Sequence, residues 1–182
     1  MVKDLPEEIR LIATLSNAFG PPGNEAEVRE ILKKELEQYA DEVRKDKLGN
    51  IIFFHHGKDG YPNVMLAAHM DEVAFIVTFI EDNGFLRFHT LGGITSNIML
   101  GQTILLQGEK GAVKGIIGTK PPHIMTEEER KKILPVEDLF IDIGAENLEE
   151  AEGKGVEIGT LGVFDVKFTE LGGGYIRGKA FD

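Results

Sequence analysis

The sequence predicts an α/β domain into which an all-β domain is inserted, and three observations carry that expectation. Two amphipathic helical stretches before residue 40 lead to a short apolar run, Asn63 to Ala68, that turns abruptly polar at His69, Asp71 and Glu72. From residue 73 the texture changes to short β segments punctuated by glycines, which reads as a small antiparallel barrel or sandwich. The last residues read as the start of a return to α/β. The expected division is 1–72 for the first part of the α/β domain, 73–168 for the β insert and 169–182 for the return.

In chain order, Pro6 opens a helix from Glu7 to about Ala18, with Ile9, Leu11, Ile12 and Leu15 on its apolar side. Gly20-Pro21-Pro22-Gly23 breaks it. Asn24 is the expected cap of a second helix, with Glu27 completing a capping box and Val28, Ile31, Leu32, Leu36 and Tyr39 at helical spacing. Val43–Lys47 and Ile51–His55 read as strands joined at Leu48-Gly49-Asn50, and His55 and His56 as exposed strand-end residues. Asn63 to Ala68, bounded by turn residues, reads as a buried strand of the α/β sheet.

The insert begins with a hairpin: Val73–Ile80, a turn at Glu81-Asp82-Asn83-Gly84, then Phe85–Leu91. Further strands are expected at Thr103–Gln107, Ala112–Ile117, Leu139–Ile143 and Val163–Thr169. Helices are expected at Thr126–Lys132, capped by Thr126, and at Leu148–Gly153.

Composition narrows the function. A net charge of −11, from 31 acidic and 20 basic residues, disfavours nucleic acid or an anionic membrane as partner. With no cysteine, any metal must be held by His, Asp and Glu. No signal peptide and no apolar run of membrane-spanning length is visible, so the expected location is the cytoplasm.

Ligands in open α/β sheets bind at the carboxyl ends of strands, which is where His69 and Asp71 fall. Residues two apart on an extended chain point to one side, so the pair can act together. A neutral imidazole is a good metal ligand, and a carboxylate nearby can fix its tautomer. The same pattern also suits a hydrogen-bonded His–Asp pair that merely ends a strand.

A run of motifs adds a resemblance. Phe19-Gly20-Pro21-Pro22-Gly23-Asn24-Glu25, Asp46-Lys47-Leu48-Gly49-Asn50 and Ala67-Ala68-His69-Met70-Asp71-Glu72-Val73 are followed by Leu91-Gly92-Gly93 and Pro121-Pro122-His123. Asp138 to Ala145, Gly155-Val156-Glu157-Ile158-Gly159 and Gly178-Lys179-Ala180-Phe181-Asp182 complete the series. In this order they resemble the M42 metalloaminopeptidases, the tetrahedral or glutamyl aminopeptidase type of the co-catalytic zinc peptidases.

The resemblance implies a zinc-peptidase-like α/β catalytic domain, partial here, with an inserted barrel that builds dimers and larger homo-oligomeric particles. It implies removal of N-terminal residues from peptides by a metal-bound hydroxide, with two divalent ions, zinc or cobalt. His69 would ligate one ion, Asp71 would orient His69, and Asp182 would bridge both. A reach of the barrel towards a neighbouring active site would let His123, Gly92 and Gly93 line a substrate pocket.

The family pattern continues beyond the Asp at this position, to a Glu-Glu pair, a further Asp and a late His, none of which falls within the 182 residues. The expectation is therefore the N-terminal portion of an aminopeptidase, inactive alone. One alternative is a catalytically dead short relative serving as an assembly or regulatory module. Another is a metal-independent hydrolase, such as a glycosidase, using Asp71, Glu72 and Asp182. A reading frame continuing into Asp-Arg and later Glu-Glu favours the first; a stop codon favours the second.

Overall fold

The computed structural model describes residues 6–121, 123, 125–127 and 132–181. They fall into two compact units, one formed by the chain up to Asp71 together with Phe168 onwards, the other by Glu72–Lys167.

The second unit is a closed six-stranded barrel. Its strands are β3 (Ala74–Ile80), β4 (Leu86–Leu91), β5 (Thr103–Gly108), β6 (Gly111–Thr119), β7 (Leu139–Asp142) and β8 (Leu161–Phe164). Around the barrel they run β3-β4-β7-β6-β5-β8, and every neighbour is antiparallel. Alternation explains the filling, because successive strand residues face opposite sides. Phe75, Val77, Leu86, Phe88, Ile104, Leu106, Ile117, Leu139 and Ile141 are buried. Phe75 meets Phe88 and Phe164 edge-on, with ring centres 5.4 and 4.9 Å apart.

A barrel this small has little room inside. A Cβ on Gly162 would press into Leu106 and Ile104, and one on Gly115 into Ile141. Glycine is required at both places for space.

The turn after β3 closes as the sequence predicts. The Gly84 amide donates to the Glu81 carbonyl at 2.8 Å, and Gly84 takes a φ of +84°. The helix at Leu148–Gly153 also forms, with a reciprocal cap. The Glu150 amide donates to Asn147 Oδ1, and the Glu146 amide to Glu150 Oε2, both at 2.9 Å. A four-residue helix, Ser96–Met99, is an addition to the expected elements. The predicted helix at Thr126–Lys132 lies largely outside the described residues.

At the end of β8, Asp165 is almost covered. Lys114 Nζ lies 2.7 Å from one of its carboxylate oxygens and Lys167 Nζ 3.3 Å from the other.

The first unit holds helices α1 (Glu7–Asn17) and α2 (Ala26–Leu36) and two hairpins. The hairpins are β1 (Glu42–Lys45) with β2 (Ile51–Phe54), and β9 (Thr169–Gly172) with β10 (Tyr175–Arg177). The β1–β2 turn is organised by Asp46, which accepts the amides of Leu48 and Asn50 and the side-chain amide of Asn50.

Five expectations need correction here. The run Asn63–Ala68 is not a buried strand: it pairs with nothing among the described residues, and Val64, Met65 and Leu66 are 81–93% exposed. An apolar run becomes a buried strand only when a ladder and a covering layer are present. For the same reason the α/β sheet expected in residues 1–72 is reduced to the β1–β2 hairpin among the described residues.

The inner face of α1 is Ala13 and Ser16, while Ile9, Leu11, Ile12 and Leu15 are only partly covered. Small side chains permit the closest backbone approach, and that outweighs the larger apolar stripe. The N-cap of α2 is Glu25, not Asn24, and Glu27 turns back to accept the Phe19 amide at 3.1 Å. Finally, the single strand expected over Val163–Thr169 is two elements, β8 and β9, one in each unit.

Lys114, followed by burial acting in opposition and then Lys167, holds the Asp165 carboxyl below its ordinary pKa. A depressed folded-state value stabilises above the unfolded pKa and is lost as pH falls through the folded one. Asp165→Asn should therefore lower stability near pH 7 by on the order of 1–3 kcal/mol. The gap from the parent should narrow as acid protonates the carboxyl, as followed by urea unfolding at several pH values.

Candidate metal centre and its surroundings

The polar end of the exposed run places His69 and Asp71 together. His69 Nδ1 lies 3.1 Å from both the backbone oxygen and Oδ1 of Asp71. Both partners act as acceptors when the carboxylate is ionised, so the proton belongs on Nδ1. That leaves the Nε2 lone pair for a Lewis acid. The side chains are 58% and 39% exposed, so the pair lies open to solvent.

This donor set fits one ligand of a divalent cation and the carboxylate behind it. It is not a closed site: among the described residues no three His, Asp or Glu side chains come close enough to hold an ion. Asp182 lies outside the described residues.

The glycine-proline loop lies beside this segment. A Cβ on Gly20 would stand 3.5 Å from the Met70 carbonyl and inside contact of the Val28 side chain, so glycine is needed there. The loop is braced by acidic side chains. Glu25 accepts the Gly23 amide at 2.5 Å and Glu27 accepts the Phe19 amide. Arg29, paired with Glu25 at 3.5 Å, donates its Nε to the Gly49 carbonyl at 2.6 Å. This side chain links the first motif to the second.

The stretch Gly178–Phe181 is tied to the end of α1. The Lys179 amide donates to Ser16 Oγ at 3.1 Å, and Ser16 Oγ donates to the Lys179 carbonyl at 2.8 Å. Lys179 Nζ donates to the Ala18 carbonyl at 2.5 Å, and the Phe168 amide to Asn17 Oδ1 at 2.9 Å. Ser16 is only 2% exposed. Ala180 has a φ of +57°, the one left-handed non-glycine among the described residues. Such a conformation costs a residue with a Cβ about 1–2 kcal/mol. Hydrogen bonds contribute about 1 kcal/mol each, more when charged, so the ties to α1 offset it.

The sequence reading missed Ser16. The available signal was a polar residue three positions after Ala13, on the small-residue side of the helix.

The remaining candidates are in the second unit. Gly92 has a φ of +96° and abuts Val73, so its glycine is explained by the turn it makes. Gly93 and His123 are exposed. An open cavity of about 270 Å³ in this unit is lined by residues including Arg87, Thr119, Lys120, Glu137 and Asp138. His123 and the two glycines are not among the residues described as lining it. In the first unit, His55 pairs with Asp41 at 3.1 Å and is exposed, as is His56.

The sequence profile of the family described as M42 glutamyl aminopeptidase matches residues 49–182. A lysyl aminopeptidase of Pyrococcus furiosus is 39% identical over 145 residues, 79% of this chain and 41% of the relative. A TET aminopeptidase from the marine sediment archaeon Thaumarchaeota archaeon SCGC AB-539-E09 superposes with a TM-score of 0.88 at 47% identity. That match covers 93% of this chain and 48% of the other. The Pyrococcus horikoshii TET1 peptidase, described as assembling into a tetrahedron or a large octahedral shell, matches with a TM-score of 0.79 at 36% identity. Here the coverage is 92% of this chain and 49% of that one. The chain thus spans about half the length of the relatives it matches.

The Nδ1 assignment has a direct readout. Above the titration range of the imidazole, long-range proton–nitrogen NMR should show His69 predominantly as the Nδ1–H tautomer. Asp71→Ala should move the population towards Nε2–H, the form favoured by an unconstrained imidazole.

Proposed function

The chain belongs to the M42 peptidase family, and from that premise we propose that it carries part of the site of a metalloaminopeptidase. The reaction is removal of N-terminal residues from peptides. The observation that supports this reading is the His69–Asp71 pair, which presents one nitrogen for a metal and fixes the proton on the other.

His69 would be a metal ligand, Asp71 would hold its ring, and Asp182 would offer its carboxylate oxygens as further donors. Bound zinc or cobalt would supply Lewis-acid polarisation of the scissile carbonyl. Asp71 keeps the Nδ1 proton in place and limits rotation of the imidazole, so the ligand nitrogen is held in one orientation. Among the described residues one histidine with its neighbouring carboxylate does not close a coordination shell, so the reading is of part of a centre. The exposed apolar run Val64–Leu66 precedes this pair in the chain.

The barrel unit serves assembly into homo-oligomers, in keeping with the shells described for the TET1 peptidase. Exposed Phe79, Ile98, Ile116 and Ile158 give this unit apolar contact surface. His123 with Gly92 and Gly93 belongs to the substrate side of the assembled particle. Among the described residues no helix is long and apolar enough to cross a membrane. The strongly acidic balance supports peptides rather than nucleic acid or anionic lipid as partners, and the cytoplasm is the proposed location.

The test compares this chain with a protein of the relatives' length that contains it. The longer protein should release N-terminal residues from peptides with a free amino group and spare N-acetylated ones. A chelator should abolish turnover, and His69→Ala should lower kcat/KM on the order of a hundredfold or more, given that even residues behind the ligands cost up to about that much. Chelator-resistant turnover, or turnover indifferent to His69, would refute the reading.

A further inference from the structure

We propose that the cavity beside β4, β6 and β7 is a binding site for a free α-amino acid in its zwitterionic form. The inference is drawn from the lining of that cavity, within the second unit, and does not depend on the metal reading of the first.

Three adjoining strands build the site. Thr119 ends β6 opposite Leu139, the first residue of β7, and Arg87 lies on β4, the other neighbour of β7 in the barrel. Arg87 is held by three hydrogen bonds. Its Nε donates to Glu81 Oε1 at 2.6 Å, and its Nη1 to the carbonyls of Glu137 and Leu139, both at 3.1 Å. Those bonds pin the guanidinium plane and use two of its three nitrogens. Nη2 remains to donate to a ligand carboxylate, and a guanidinium already fixed loses little freedom in doing so. Thr119 supplies a second group. Its Oγ1 is buried without a hydrogen-bond partner, which is rare for a hydroxyl and which a polar ligand atom beside it would remedy.

The charges decide the class of ligand. Arg87 and Lys120 bring two positive groups to the cavity, Glu137 and Asp138 two negative ones. A simple anion would meet the carboxylates, and a simple cation the guanidinium and ammonium. A small molecule carrying one charge of each sign is favoured by both. The 3₁₀ turn Val136–Asp138 sets the acidic pair in a fixed relation to Arg87, because the Glu137 carbonyl is one of the groups that hold the guanidinium. Met125 and Leu134 add an apolar wall, which suits an aliphatic side chain. The volume of about 270 Å³ falls below the ~300–1,000 Å³ of clefts that enclose drug-sized molecules, so the ligand is small. Amino acids of this kind are what the reaction proposed above would release.

The experiment titrates L-leucine into the isotope-labelled 182-residue chain, with a chelator present so that no metal-held amino acid contributes. Amide shifts report where binding occurs and how tightly. Leucine should move the signals of Arg87, Thr119 and Glu137 and leave those of His69 and Asp71 in place. Leucinamide lacks the carboxylate and N-acetyl-leucine lacks the ammonium. Each should bind on the order of tenfold more weakly, as loss of one charged hydrogen-bonding group does. Thr119→Val keeps the side-chain shape and removes only the hydroxyl, and it should raise the leucine Kd roughly fivefold. Glu137→Gln combined with Asp138→Asn should erase the preference for leucine over N-acetyl-leucine.

No saturable shift at the cavity overturns the proposal, as does N-acetyl-leucine or leucinamide binding as well as leucine. An unchanged leucine Kd in Thr119→Val does the same. Should that variant disturb the barrel, the exposed Glu137 and Asp138 supply the second test, and a preference retained in their double variant contradicts the zwitterion site. Each of these failures leaves the metal reading standing, because the first unit takes no part in the measurement.

Discussion

Closure of the barrel is the constraint on which the second unit depends. Strand β3 pairs with β4 on one side and β8 on the other, so the first and last strands of the insert complete one another. A closed sheet leaves no unpaired edge, and its interior is filled by its own side chains. That is why glycines at positions 115 and 162 matter: the interior is too narrow for a side chain at either crossing. Because β8 ends at Phe164 and the chain leaves the unit at Lys167, the barrel is complete within one continuous segment.

The first unit obeys the opposite condition. Among the described residues its strands find partners only within their own hairpins, and the apolar run Val64–Leu66 pairs with no strand. What organises it instead is a set of side chain to backbone ties. Asp46 builds the β1–β2 turn, Arg29 holds Gly49, Glu27 holds Phe19, and Ser16 with Lys179 fastens the last turn to α1. These ties hold the motif loops, and the His69–Asp71 pair has its own short contact within the same unit. The local geometry of the centre thus rests on hydrogen bonds more than on a buried core.

The elements legible in the sequence were those specified locally. The Glu81–Gly84 turn, the Leu148–Gly153 helix and the strands β4 and β5 each depend on residues a few positions apart. The His69–Asp71 pairing was legible for the same reason. Asn63–Ala68 was misread because burial of a strand is decided by what lies on its faces, and a run of apolar residues carries no record of that. Ser16 was missed because its partner is 163 residues away and is a backbone group, which has no sequence signature. The Asn24 cap failed on competition: the neighbouring Glu25 and Glu27 serve the amides of Gly23 and Phe19 in the preceding loop.

The central claim is that these residues supply a partial metal centre of an M42 peptidase. It is tested most directly by counting ions retained by the intact chain after zinc or cobalt loading and exhaustive dialysis, using native mass spectrometry. The account predicts that no ion stays in stoichiometric amount, because one histidine and its neighbouring carboxylate cannot close a coordination shell. Two ions retained per monomeric chain would contradict it, and would mean that the 182 residues already hold a complete centre.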